Sequence, residues 1–341
     1  MHTIGFAGTA KNTGKTTAAL QILDRAAEAG LCLAVTSIGY DGEQRDHVTG
    51  LPKPRYALPA GTLLATAEQT LPVCGRLEIL ETSPIRTILG QVVIARMTEP
   101  GPAALAGPNT RADIETILAR LQALGAELCL LDGALNRMAP MMAADGLVLS
   151  TGAAFDEDIA VLAAHVGALA ELFALPRQSP PAGALVTQSL LTPGSVETAL
   201  NGLLSGVSGW VLRGAVSPRL VAAVLEKAAP ALQDRELLFE DPVKLAVSGD
   251  PRAWARLLQQ AHAMAIRPGL LATLPLRLVT VNPFYPRYWQ RDYRYEAAYV
   301  DAGRLLISVQ AAITSAPVAD LIASPPPDLL KIVLGEYNCS D

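Results

Sequence analysis

The ten residues Gly8-Thr9-Ala10-Lys11-Asn12-Thr13-Gly14-Lys15-Thr16-Thr17 constrain this chain more than any other stretch. They follow an apolar run, Thr3-Ile4-Gly5-Phe6-Ala7, and open a segment that places Ala18, Ala19, Ile22, Leu23 and Ala26 on one helical stripe. Gly30 stands where a helix C′ glycine belongs, and Leu31 to Ile38 reads as a buried strand. Strand, glycine-bearing turn and helix in that order predict a phosphate-binding loop, because successive backbone N–H groups at a turn and helix N-terminus wrap an anion. Lys15 is expected to reach the terminal phosphates, and the Thr16 hydroxyl to coordinate Mg²⁺. Gly8 sits one position earlier than the G-x-x-x-x-G-K-[ST] template requires, with Thr9 in the template position. A chance Gly-Lys-Thr would lack the preceding strand and the amphipathic continuation; both are here.

Beyond the loop, apolar runs alternate with helical stretches, the pattern of an α/β fold with a mostly parallel sheet and helices on both faces. Strands are expected at about 3–8, 31–38, 77–81, 91–96, 128–132, 146–150 and 183–187, and helices near 15–29, 110–124, 156–173 and 194–204. After residue 205 the rhythm continues as an α/β C-terminal extension. Its expected strands are Trp210–Arg213, Glu236–Phe239, Leu245–Val247 and Arg277–Val281, and its helices are 218–229 and 251–263. A boundary near Leu204–Ser208 would divide residues 1–205, the nucleotide-binding domain, from residues 206–341. One continuous sheet is the open alternative.

Composition narrows the class. At 341 residues, half of them hydrophobic and 17% charged, the chain can bury an ample core. Every apolar run is interrupted before it reaches the length of a membrane span, and no basic, apolar leader precedes the first strand. The four cysteines share no metal-ligand spacing, so a reduced, cytoplasmic protein is expected. A net charge of −5 argues against a surface that coats nucleic acid. There is no CxxC, HExxH or GxSxG, and the four histidines are scattered, so nothing supports zinc or covalent chemistry.

Magnesium at a phosphate loop needs oxygen ligands beyond Thr16. Asp132 ends the hydrophobic run Leu128-Cys129-Leu130-Leu131 and precedes Gly133, as a metal-side carboxylate does at the end of a strand. Asp41, Glu43 and Asp46 follow the second strand, at the end where ligands of a parallel sheet bind. Each is a candidate to hold magnesium or position the attacking water, and each is equally a candidate for a solvated loop acid. Lys11, inside the loop, either assists the phosphates, reaches across a homodimer interface, or is simply solvated. Thr187-Gln188 and Asn282, after later strands, are candidates to read a purine edge, with a structural turn as the plainer reading. Residues 284–299 hold seven of the sixteen aromatics, interleaved with Arg287, Arg291 and Arg294. That composition suits a protein contact or ordinary packing at the end of the sheet.

The string Gly8-Thr9…Gly14-Lys15-Thr16-Thr17, with five residues between its two glycines, resembles the P-loop of dethiobiotin synthetase and its SIMIBI-class relatives, the cobyrinate amidotransferases and the MinD/ParA ATPases. The resemblance spans about residues 1–190. It implies phosphate binding by Gly8 to Thr17, with magnesium near Thr16, Asp41 and Asp132; ATP is the expected nucleotide, and Lys15, Asp41 and Asp132 are the expected catalytic residues. Where dethiobiotin synthetases carry a substrate lysine, this chain reads Ser37-Ile38-Gly39-Tyr40-Asp41. Neither Cys129 nor Cys339 has the setting of a glutaminase nucleophile, and Lys11 is displaced by one position from the signature lysine of MinD-type ATPases. Thr36–Glu43, Leu51–Pro54, Leu105–Pro108 and Leu131–Arg137 together are similar to an accessory family described as a reactivase subunit of adenosylcobalamin-dependent lysine aminomutases. That likeness implies an ATP-driven switch acting on a B12-dependent aminomutase or its accessory subunit. A small-molecule ligase or kinase and a non-hydrolysing nucleotide-bound scaffold are the other classes in play.

Overall fold

A computed structural model describes residues 1–41, 56–133, 139–188, 193–289 and 294–336. The chain forms two compact units, Met1–Ala163 with Leu276–Asp341, and Ala164–Pro275.

The first unit is built on a nine-stranded sheet. From one edge its strands are Val318–Ala319, Leu276–Asn282, Gly146–Gly152, His2–Gly8, Leu128–Asp132, Leu33–Ser37, Leu63–Ala67, Gly90–Met97 and Leu77–Thr87. The first seven run parallel; Gly90–Met97 and Leu77–Thr87 close the far edge antiparallel. Strands His2–Gly8, Leu128–Asp132 and Gly146–Gly152 are buried almost throughout, as parallel strands flanked by helices must be. Helix Lys15–Glu28 buries Ala18, Ala19, Ile22, Leu23 and Ala26, the stripe read from the sequence, against Ile4, Phe6, Val35 and Leu130. Ile22 and Leu23 are fully buried, which stabilises the helix by roughly 1.5–3 kcal/mol each. The helix ends before Gly30, whose φ of 76° is the left-handed value that a C′ glycine supplies without strain.

The second unit repeats a simpler rule. Strands Leu185–Thr187, Gly209–Leu212, Glu236–Phe239 and Arg267–Leu270 form a parallel sheet in sequential order, linked by helices Pro193–Leu204, Pro218–Leu232, Pro242–Ser248 and Pro251–Ala263. Its core centres on Trp210, Phe239 and Trp254, with the Phe239 and Trp254 rings edge-on at 5.3 Å. The Trp210 indole N–H donates to the Thr187 hydroxyl at 3.0 Å.

Two expectations change. The division lies at 163/164 and 275/276, not near 205. The first of these falls inside helix Ile159–Phe173, so no loop composition marks it, and the inserted βα units carry the same apolar rhythm as their host. Residues Leu245–Val247 belong to helix Pro242–Ser248 rather than a strand. Asp241 accepts a hydrogen bond from the Lys244 N–H at 2.8 Å and Pro242 opens the first turn, so cap and proline outweigh a short apolar run. Conversely, Leu276–Asn282 and Val318–Ala319 do extend the first sheet, the continuation held open above.

Candidate phosphate-loop site

Strand His2–Gly8 is the central one of the seven parallel strands of the large sheet, paired to Leu128–Asp132 on one side and Gly146–Gly152 on the other. The chain leaves its carboxyl end at Gly8 and enters helix Lys15–Glu28 through a tight loop. A Cβ on Gly8 would stand 2.5 Å from the Thr13 hydroxyl oxygen, so the loop closes only over glycine. Thr13 is buried, and its hydroxyl donates to the Ala10 carbonyl at 2.9 Å. Asn12 and Gly14 both have left-handed backbones, with φ of 64° and 90°. Gly14 is the N-cap, so no side chain satisfies the first turn of the helix. An N-terminus capped this way is open to an external anion.

Lys15, the first helical residue, places its ammonium 2.6 Å from both carboxylate oxygens of Asp132. Asp132 is 1% exposed and Lys15 16%. A carboxylate so buried is held in its charged form by a cation and hydrogen bonds or not at all. Its backbone is fixed on both sides: Asp132 pairs with Phe6 and Ser37, the Ile38 N–H donates to the Asp132 carbonyl at 2.7 Å, and the Gly133 N–H donates to the Phe6 carbonyl at 3.0 Å. A Cβ on Gly133 would run into the Met141 methyl, the end of a flexible side chain that would have to swing aside. Three positions upstream, burial pushes the Cys129 thiol far above its usual range, consistent with a packing residue rather than a nucleophile.

The other flank of the loop is a ladder of buried hydroxyls. The Thr9 N–H donates to the Ser150 carbonyl at 2.9 Å and the Thr9 hydroxyl to Thr151 at 3.0 Å, while the Thr280 hydroxyl donates to Ser150 at 2.8 Å. Asn282, at the end of its strand, donates from Nδ2 to the Asn12 carbonyl at 3.0 Å. A Cβ on Gly14 would touch Asn282 at 3.4 Å. Of the two polar groups expected at strand ends, then, Asn282 reaches the loop and braces it. Thr187 ends a strand of the second unit's sheet, and Gln188 follows it. Ser150, Thr151 and Thr280 carried no sequence signal beyond being hydroxyls in apolar strands.

The remaining expected residues sort as follows. Thr16 and Thr17 are half-buried on the first helical turn, and Lys11 is exposed on the loop. Asp41 lies in a two-residue strand with Tyr40, paired antiparallel to Leu105–Ala106; its side chain, like all of Glu43 and Asp46, lies outside the described residues. The turn at Ser37–Gly39 interlocks with Gly107 and Pro108. The Gly107 N–H donates to the Ser37 hydroxyl at 3.1 Å, and the Gly39 N–H to the Pro108 carbonyl at 3.3 Å. Among the described residues no group of three or more His, Cys, Asp or Glu is arranged to hold a metal ion. Of the expected magnesium ligands, Thr16 and Asp132 are the two whose side chains are described, and such hard oxygen donors suit magnesium. The aromatic segment is an antiparallel ribbon, Phe284–Trp289 with Arg294–Tyr299, in which only Tyr285 among the described aromatics is buried. No protein-family model and no curated protein matches this chain.

Proposed function

We propose that the Gly8–Thr17 loop binds a magnesium nucleotide, ATP, and that the chain hydrolyses it slowly as a switch for a protein partner, in the manner of the SIMIBI-class proteins it resembles. One observation carries the reading: an uncapped, left-handed glycine opens a helix at the end of the central parallel strand, and the next residue is a lysine on a buried aspartate. Lys15 is the group to neutralise charge developing on the transferred phosphoryl oxygens. Thr16 and Asp132 would hold the magnesium, with Asp41 as the further acid, and the ion would supply charge neutralisation between the terminal phosphates.

The switch reading rests on where the quoted segments lie. Ser37–Gly39, Gly107–Pro108 and Asp132–Gly133 all gather at the carboxyl ends of adjacent strands, hydrogen-bonded to one another or to the strand beside the loop. Loops so placed can differ between triphosphate and diphosphate states, and a switch works only through such a difference. The partner we propose is a B12-dependent aminomutase or its accessory subunit. Titration with ATP and Mg²⁺ should show saturable binding that Lys15→Ala abolishes, and turnover should rise when the aminomutase is added. Unchanged affinity and turnover in Lys15→Ala would end the nucleotide reading. Turnover driven by a small carboxylate alone would replace the switch with a ligase, and ATP retained without ADP formation would replace it with a scaffold.

A further inference from the structure

The ribbon that follows Asn282 presents two unlike faces. Residues directly opposite in an antiparallel pair share a face, and so do alternate residues along a strand. One face therefore carries Phe284 opposite Tyr299, Pro286 opposite Ala297, and Tyr288 opposite Tyr295. It holds no charge. Tyr299 is 67% exposed and Tyr288 45%, Ala297 is also exposed, and the other three are half-buried. The ring pairs are ordered, Phe284 and Tyr299 meeting edge-on at 5.8 Å and Tyr288 and Tyr295 at 5.0 Å. The opposite face is different in kind: buried Tyr285 anchors it, with Arg287 over its ring, and Arg287 and Arg294 each lie beside a glutamate. A contiguous aromatic face left to solvent marks an interaction site, because monomers seldom expose one.

We infer that this face binds the same face of a second copy of this chain, forming a two-fold dimer. The first argument is charge. This face carries no ionised side chain, so meeting its own copy brings no like charges into contact and strands no charge out of water. The second is shape. The face reads bulky, small, bulky along the ribbon, with the Pro286–Ala297 rung as a notch between two aromatic rungs. Slid by one rung, two such faces set an aromatic pair of each copy into the notch of the other, which is the self-complementarity that an isologous interface requires. Area sets the strength. Four aromatic side chains, partly covered already, offer roughly 400 Å² per copy at the ~150–250 Å² that a fully buried ring contributes. A stable dimer uses about 800 Å² per partner, so the association is weak and concentration-dependent.

Sedimentation of the full chain over a rising concentration series tests this. The wild type should shift towards twice the chain mass, and Tyr288→Ser with Tyr299→Ser should weaken that shift about tenfold or more. Ala297→Glu, one exposed charge on the same face, should do the same without removing a ring that packs the ribbon. Trp289→Ser, on the opposite face, should associate as the wild type does. Circular dichroism establishes that each variant is folded. A wild type that stays monomeric throughout overturns the proposal. So does association that survives both face variants, or that Trp289→Ser abolishes equally.

Discussion

Both units end parallel strands in charged and polar residues, yet the helices that follow those strands open differently. In the second unit the helix after Glu236–Phe239 is capped by Asp241 and the helix after it by Asp250, which accepts from the Arg252 N–H at 2.9 Å. Glu240 takes the Gly214 N–H at 2.6 Å and pairs with Lys244. Burial opposes its charge, but those two hydrogen bonds prevail and hold its carboxyl below the usual range. Both of these N-termini therefore already have a side-chain acceptor; helix Pro218–Leu232 opens on Ser217 without a side-chain cap, but Pro218 in its first turn has no N–H to offer. In the first unit Gly14 takes the position of the capping aspartate, and the nearby carboxylate, Asp132, is engaged by Lys15 instead. On the function proposed above, the capping side chain withheld at Gly14 matters as much as the groups that are present, because it leaves the first turn's N–H groups to an external anion.

The largest test of that contrast is Lys15→Ala. Leaving Asp132 buried without its ammonium should cost up to about 3 kcal/mol of stability and abolish measurable ATP binding, read by thermal melting and calorimetry. Asp132→Asn, which removes the charge as well, should recover part of the stability but not the magnesium dependence. Next is Gly14→Ala, which puts a methyl on a left-handed residue against Asn282. A loss of about 1–2 kcal/mol, with weakened nucleotide affinity, is expected from the melt and titration. Asp241→Ala should cost about 1 kcal/mol and leave nucleotide affinity untouched, whereas Asp241→Asn, an equally good cap, should cost little. An effect of Asp241→Ala on ATP binding as large as that of Gly14→Ala would erase the distinction drawn between the two strand ends.

The smallest effect concerns pH. Burial holds the imidazole of His165 below its usual pKa, helped by Arg252 and opposed by Asp250. With the folded value depressed, the unfolded chain takes up its proton first, so this contribution is complete above the ordinary value of about 6.5 and is lost as pH falls beneath it. Melting temperature should drop by about a degree or two from about pH 7.5 to about pH 5.5, and His165→Gln should remove that slope.

Much of this was legible in residue order. Leu128–Asp132 and Pro251–Ala263 stand where the apolar pattern and end signals put them, because each is a local arrangement of period and cap. Strand Leu63–Ala67 was not read, being short and alanine-rich with weak strand preference. Nor was the hold of Asn282 on Asn12, which joins residues 270 positions apart and exists only once the sheet is assembled. The loop could be seen in advance; the braces that fix its shape could not.

That separation also sets a schedule. Strand Leu276–Asn282 pairs with Gly146–Gly152, but all of Ala164–Pro275 must be synthesised between them. At ~5–20 residues per second the glycine loop waits on the order of ten seconds at the ribosome before Thr280 and Asn282 exist to lock it. During that interval one edge of Gly146–Gly152 has no strand beside it. A nascent chain paused there would be a target for chaperones and proteases, and the glycine loop would be among the last parts of the molecule to mature.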